Sequence, residues 1–144
     1  MDNIAGTSKI VRLYILTGFI YFIIGTLLLA FDMAGIISIR TDPIFILLLY
    51  GFVTQLIFGV SYIFVPGVSR HRGANYKIMA LEYVLLNSGI ILFESVALEG
   101  QMYRSFLLIG LFAMLVAVVF HAVNIWRIII WTKAKNAGSA SASK

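Results

Sequence analysis

The chain has 144 residues, of which 61% are hydrophobic and only 12% charged, with a net charge of +5 and no cysteine. That balance excludes a soluble globule of ordinary composition. The missing thiols exclude disulfides, thiolate metal sites and cysteine nucleophiles.

After a short polar lead over residues 1–8, four apolar stretches follow at 10–31, 44–65, 78–97 and 105–131. Each has about the twenty residues that a helix needs to cross a hydrocarbon core roughly 30 Å thick. A soluble bundle would show polar faces at helical spacing, and these stretches show hardly any. Strands of a membrane barrel would be about half as long and would alternate apolar with polar. The expected fold is all-α, an integral membrane four-helix bundle in a single domain over residues 1–136. No extramembrane catalytic module is expected. The first stretch is longer than a signal-peptide core and meets no small-residue cleavage site before Asp32, so it reads as a retained span.

Between spans one and two, Gly35 and residues 38–43 make an outer connection, and Pro43 suits the first turn of span two. Pro66 and Gly67 close that span and open an inner loop over 67–76, and Gly100 marks the outer turn before span four. Residues 137–144 are small, polar and low in complexity, which predicts a flexible tail. Trp126, Trp131, Tyr76 and Tyr103 sit where membrane interfaces fall.

Charge sets the expected orientation. Of eleven Lys and Arg residues only Arg40 and Arg104 fall on the loop side shared with Asp32, Asp42 and Glu99, which leaves nine on the other. By the positive-inside bias both termini face the cytoplasm of a multi-pass cell-membrane protein. The basic ends then touch lipid headgroups, and nucleic acid is not an expected partner.

Polar residues inside the spans are the candidates for function. Gly51, Gln55 and Gly59 share one face of span two, and Gly18 with Gly25 form a similar face on span one. Small residues let a neighbouring backbone approach, and Gln55 can bond across the interface, so helix packing is the expected role. Contact of Gln55 with a ligand stays open. Span three carries Glu82, Tyr83, Asn87 and Glu94, the last close enough to the outer end to reach water. Glu82 points about 100° away from the other three. A lone carboxylate at its depth is costly. Span four offers His121, Asn124 and Arg127 on successive inner turns. A Glu82–Arg127 pair flanked by Asn124 is the expected intramembrane polar site. Its role as a fold-fixing ion pair or as a proton or quinone site is open.

His121 is the only histidine in a span, since His71 lies in the inner loop. It reads either as a hydrogen-bonded bundle residue or as an axial ligand of haem b. Ligation would need a second ligand from Met79, Met114, another copy of the chain or a partner. There is no HExxH motif or glycine-rich phosphate loop. No Ser–His–Asp set is placed at one depth, because the aspartates lie outside the spans. No metal site and no catalytic residue are assigned, and no activity of the chain alone is expected. With no broken helix expected, a transporter has little support.

Span two reads Leu49-Tyr50-Gly51-Phe52-Val53-Thr54-Gln55-Leu56-Ile57-Phe58-Gly59-Val60-Ser61-Tyr62, with Pro66 four residues on. Together with Leu86-Asn87-Ser88-Gly89 and Asn124-Ile125-Trp126-Arg127, it resembles the haem–copper oxidase subunit I superfamily. It is most similar to the divergent cbb3-related and nitric-oxide-response membrane proteins. The resemblance covers about half the chain and implies a related helical scaffold. Haem-holding relatives carry a histidine about a turn before the glycine, where this chain has Ile46. A full oxidase subunit also has about twelve spans. The resemblance therefore implies a small non-catalytic subunit packed with other membrane subunits, or with a second copy, in a respiratory or oxidoreductase-type complex such as an oxidase or membrane monooxygenase. The runner-up is a haem-b or quinone-binding electron-transfer protein using His121.

Overall fold

A backbone that crosses hydrocarbon finds no water to bond, and a helix satisfies its own N–H and C=O groups within one segment. The computed structural model describes the backbone of residues 2–38, 41–69, 75–99 and 104–141, and side-chain surroundings over 7–38, 42–66, 75–95 and 105–130. Every regular element among them is helical: α1 (Asp2–Met33), α2 (Thr41–Ile46), a π-helical segment (Leu47–Thr54), α3 (Gln55–Ser69), α4 (Tyr76–Glu99) and α5 (Arg104–Ser141). α2, the π segment and α3 run on as one span. The four stretches long and apolar enough to cross a membrane are Thr7–Met33, Asp42–Pro66, Tyr76–Ser95 and Ser105–Ile130. The protein is an all-α, multi-pass membrane bundle.

Local chemistry sets several ends. Beyond α1, Gly35 adopts φ 69°, its N–H bonds the Asp32 carbonyl, and the Ile36 N–H reaches back to Phe31. This is a Schellman closure, and glycine takes its left-handed position without a Cβ clash. α4 starts at Asn75, whose side-chain oxygen accepts the Lys77 N–H at 3.0 Å.

Three features differ from the expected spans. α3 continues through Pro66 to Ser69, about one turn further than a proline stop would allow. Pro66 forfeits only its own bond to the Tyr62 carbonyl, a loss tolerated near a helix end. α5 carries helix to Ser141, so residues 137–141 of the expected flexible tail are helical, in keeping with alanines at 137 and 140. Residues 142–144, Gly100, Tyr103 and His71 lie outside the described residues. Span two is interrupted by eight π-helical residues. The wider π turn keeps Leu47, Gly51 and Gln55 in line on the inner face, where all three are buried.

Lipid tails are as apolar as leucine, so hydrophobicity does not draw these helices together; close packing and interhelical hydrogen bonds do. The tightest approach joins α4 to α5. A Cβ on Gly89 would stand 2.7 Å from the Gly110 carbonyl oxygen, and one on Gly110 would stand 2.8 Å from the Gly89 carbonyl. Only paired glycines allow backbones that close. α1 packs on the second span and on α4 but hardly meets α5. α4 and the second span therefore form the centre of the bundle, and Gln55, Tyr62 and Glu82 on them are buried against protein.

Candidate functional site

The inward stripe of α5 runs Gly110, Met114, Ala117, His121, Asn124, Ile128, all buried at three- and four-residue steps. On the second span the buried stripe runs Leu47, Gly51, Gln55, Phe58, Tyr62. α4 lies between them and sends Glu82, which is 0% exposed, towards both. One buried polar cluster results.

Tyr62 Oη donates to Glu82 Oε2 at 2.5 Å. Asn124 Nδ2 donates to Tyr62 Oη at 2.9 Å and, more weakly, to Glu82 Oε1 at 3.4 Å. His121 Nδ1 lies 3.3 Å from Glu82 Oε2. Its Nε2 is 2.8 Å from Ser61 Oγ. Phe58 stacks on the imidazole with centroids 3.8 Å apart, and Tyr62 meets it edge-on at 4.8 Å.

Hydrogen-bond geometry limits where the protons can sit. The Ser61 hydroxyl also lies 2.9 Å from the Phe58 carbonyl, which can take its one hydrogen and leave Nε2 as the donor to Ser61. Tyr62 and Asn124 are donors to Glu82. One proton is then left for the Nδ1–Oε2 contact. It sits either on the imidazole, giving an ion pair, or on the carboxyl, giving a neutral pair. Glu82 and His121 are thus placed to share a proton inside the bundle.

A second polar layer lies towards the loops that join spans one to two and three to four. α1 and α4 run parallel and meet through three rungs, the first still level with Glu82 and the next two in this layer. Tyr14 Oη donates to the Met79 carbonyl at 3.1 Å, Thr17 Oγ1 pairs with Tyr83 Oη at 2.7 Å, and Tyr21 Oη donates to Asn87 Oδ1 at 3.0 Å. Gln55 Nε2 also donates to Asn87 Oδ1, at 2.9 Å, while Asn87 Nδ2 holds the Tyr83 carbonyl at 2.8 Å. That last bond fixes the Asn87 amide and, through it, the Gln55 amide. Among the described residues, Gln55 Oε1 is left buried with no partner, as is Glu94 Oε1 further along α4.

The expected polar site is thus partly assembled. Glu82 and Asn124 come together, but Arg127 does not join them. It is exposed, one residue off the inward stripe of α5, and Glu82 takes its partners from Tyr62, His121 and Asn124 instead. Asn87 belongs to the second layer. Glu94 is half-buried, with one carboxyl oxygen enclosed. The glycines face neighbours as follows: Gly18 lies against Gln55, Gly25 against Leu48, Gly51 against the Tyr21 ring and Gly59 against Tyr14 and Ile15.

Sequence reasoning missed Tyr62, Ser61 and Phe58, the partners from span two. The signal was there, because Tyr62 falls seven residues after Gln55 and so returns to the same face. Tyr14, Thr17 and Tyr21 were missed for the same reason: a hydroxyl in an apolar run reads as an ordinary span residue until its partner is known.

The residues do not fit a haem ligand. Both imidazole nitrogens of His121 are engaged and one ring face is covered by Phe58, so iron would have to displace an existing partner. Met114 lies seven residues away on the same helix, against Gly89. Among the described residues no group of three or more His, Asp or Glu is placed to hold a metal ion. Comparisons with protein-family models, curated proteins and solved structures give no match to this chain.

Proposed function

We propose that this chain is a small accessory subunit of a larger energy-converting membrane complex, and that its task there is to hold an exchangeable proton within the bilayer at Glu82 and His121. The observation that supports the proton role is the 3.3 Å contact between a fully buried carboxyl and an imidazole. A pair that served only to fix the fold would work as well with arginine, which never releases its proton. Histidine is the side chain that does so near neutral pH. Ionisable residues inside a membrane commonly mark proton relays.

The subunit role rests on the oxidase-like run from Leu49 to Tyr62, and the partners would be other membrane subunits of an oxidase or monooxygenase. In this reading both termini and the basic ends lie in the cytoplasm. The chain performs no redox chemistry alone.

Infrared difference spectroscopy of the purified protein through a pH titration tests the proton site. Paired carboxyl and imidazole changes that vanish in Glu82→Gln and in His121→Gln support it. A titration without either signal means the pair is a static packing element. Native purification tests the assembly, where a chain that never brings down another membrane protein argues against a subunit role.

A further inference from the structure

The proton site stands at one end of a longer polar line. α4 carries Glu82, Tyr83, Asn87 and Glu94, and the twelve helical steps from first to last rise about 18 Å, over half of a hydrocarbon core. Tyr14 of α1 lies between the two clusters, its ring against Tyr62 on one side at 6.5 Å and Tyr83 on the other at 5.2 Å. The hydroxyls of Tyr83 and Thr17 are paired, and the next turn holds Asn87, Tyr21 and Gln55. Glu94 lies about two turns beyond Asn87 on α4 and ends the line.

Two acceptors on this line have no donor. Gln55 is 0% exposed, its amide is fixed by Asn87, and its Oε1 is bare. Glu94 Oε1 is bare as well. Buried acceptors are almost always satisfied, by protein or by ordered water. Among the described residues no protein donor reaches either atom. Water is the smallest donor that can, and each molecule needs the two to four polar partners that such a layer supplies.

We propose that Glu82 and Glu94 are the two ends of a proton path through the bundle, completed by internal water held on the Gln55 amide oxygen. A proton taken up at Glu82 displaces another along the hydroxyls and water, the Tyr14 hydroxyl turning from the Met79 carbonyl to pass it on, and one leaves from Glu94. No group is consumed and no oxidant is needed; the transmembrane gradient drives the flow. The path rests on the proton site proposed for Glu82 and His121, and extends it to the far side of the bilayer.

The test uses the purified full chain in sealed lipid vesicles with a pH-sensitive dye inside, driven by a potassium–valinomycin potential. Proton uptake above protein-free vesicles is expected in the native protein, in Glu94→Asp and in Ser95→Ala. It should fall to the protein-free rate in Glu94→Gln and in Gln55→Leu. Circular dichroism and thermal unfolding select variants that keep the native fold, and the Asp–Gln contrast at 94 changes the carboxyl with least disturbance. Native vesicles that take up no protons, or Glu94→Gln vesicles that match the native rate, overturn the path. If the infrared titration still shows the Glu82–His121 pair, only the path has failed; loss of both signals removes the proton site as well.

Discussion

His121 lies flat on Phe58, with ring centroids 3.8 Å apart and only 7° between the planes. The stack sets where the imidazole edges point: one nitrogen at Ser61, the other at Glu82. Since Phe58 and Ser61 are three residues apart on α3, one turn of helix supplies both the platform and the hydrogen-bond partner. Tyr62, the next residue, closes on Glu82 itself. The proton pair is thereby oriented by a single turn of the second span.

Phe58→Ala should therefore cost more than its own burial. Emptying a buried phenylalanine site costs about 3–5 kcal/mol in well-packed cores. Here it also frees the imidazole to rotate away from Glu82. Phe58→Leu fills much of the volume without the flat surface. Thermal unfolding in one detergent should rank native above Leu above Ala, whereas the infrared signature of the pair should weaken in both. An unchanged signature in Phe58→Leu would mean that Ser61 alone fixes the ring.

Glu82 and His121 should be energetically coupled, and Glu82 and Arg127 should not. Contacting residues in one network show interaction energies of about 0.5–3 kcal/mol in a double-mutant cycle. The exposed Arg127 shares no partner with Glu82, so that cycle should close to within about 0.5 kcal/mol. The cycles use Glu82→Gln with His121→Gln and Glu82→Gln with Arg127→Gln, read by thermal stability. Coupling in the second cycle would restore Arg127 to the site.

Span length and apolarity were enough to read four helices and to place most of their ends within a turn. They were legible because hydrocarbon thickness imposes one length on every helix. The same uniform apolarity hid the inward faces. In a soluble helix the polar side tells which residues point in, whereas here Leu16, Phe64 and Phe112 are as apolar as the core yet face outward. Glu82, Asn87, His121 and Asn124 stood out because polarity is rare in lipid and has to be enclosed. Which of them meet depends on helix rotation, and only about 60° around α5 separates Asn124 from Arg127. The π segment had no signal in Leu47–Thr54, an ordinary apolar run around one glycine.

The glycines should divide by what they touch. A Cβ on Gly89 would meet the Gly110 carbonyl at 2.7 Å and the Met114 backbone nitrogen at 3.0 Å, atoms that move only if a helix moves. Gly89→Ala should therefore cost about 1–3 kcal/mol through overpacking. A Cβ on Gly25 would meet the end of the Leu48 side chain at 2.9 Å, and that chain can rotate aside. Alanine also gains up to about 1 kcal/mol of helix propensity over glycine. Gly25→Ala should be close to neutral. Equal losses in the two variants would show that the α4–α5 contact is no tighter than that of α1 with the second span.

Both chain ends should face the cytoplasm. Residues Tyr14, Tyr62, Met79, Glu82 and Asn124 meet at one level, so successive spans run in alternate directions and both termini lie at the same end of the bundle. Chain order assigns nine of the eleven Lys and Arg residues to the tails and loop on that side of the spans, and Arg40 and Arg104 to the other. The bias counts Lys and Arg close to the spans, where Lys9, Arg12, Lys77 and Arg127 all lie. The chain has no cysteine, so Ser38→Cys and Ser69→Cys each introduce a single thiol. Ser38 is exposed just beyond α1, and Ser69 ends α3 at the opposite end of the bundle. A membrane-impermeant maleimide applied to intact cells should label Ser38→Cys and reach Ser69→Cys only after the membrane is opened. The reverse pattern would invert the protein in the bilayer and turn Glu94, not Glu82, towards the cytoplasm.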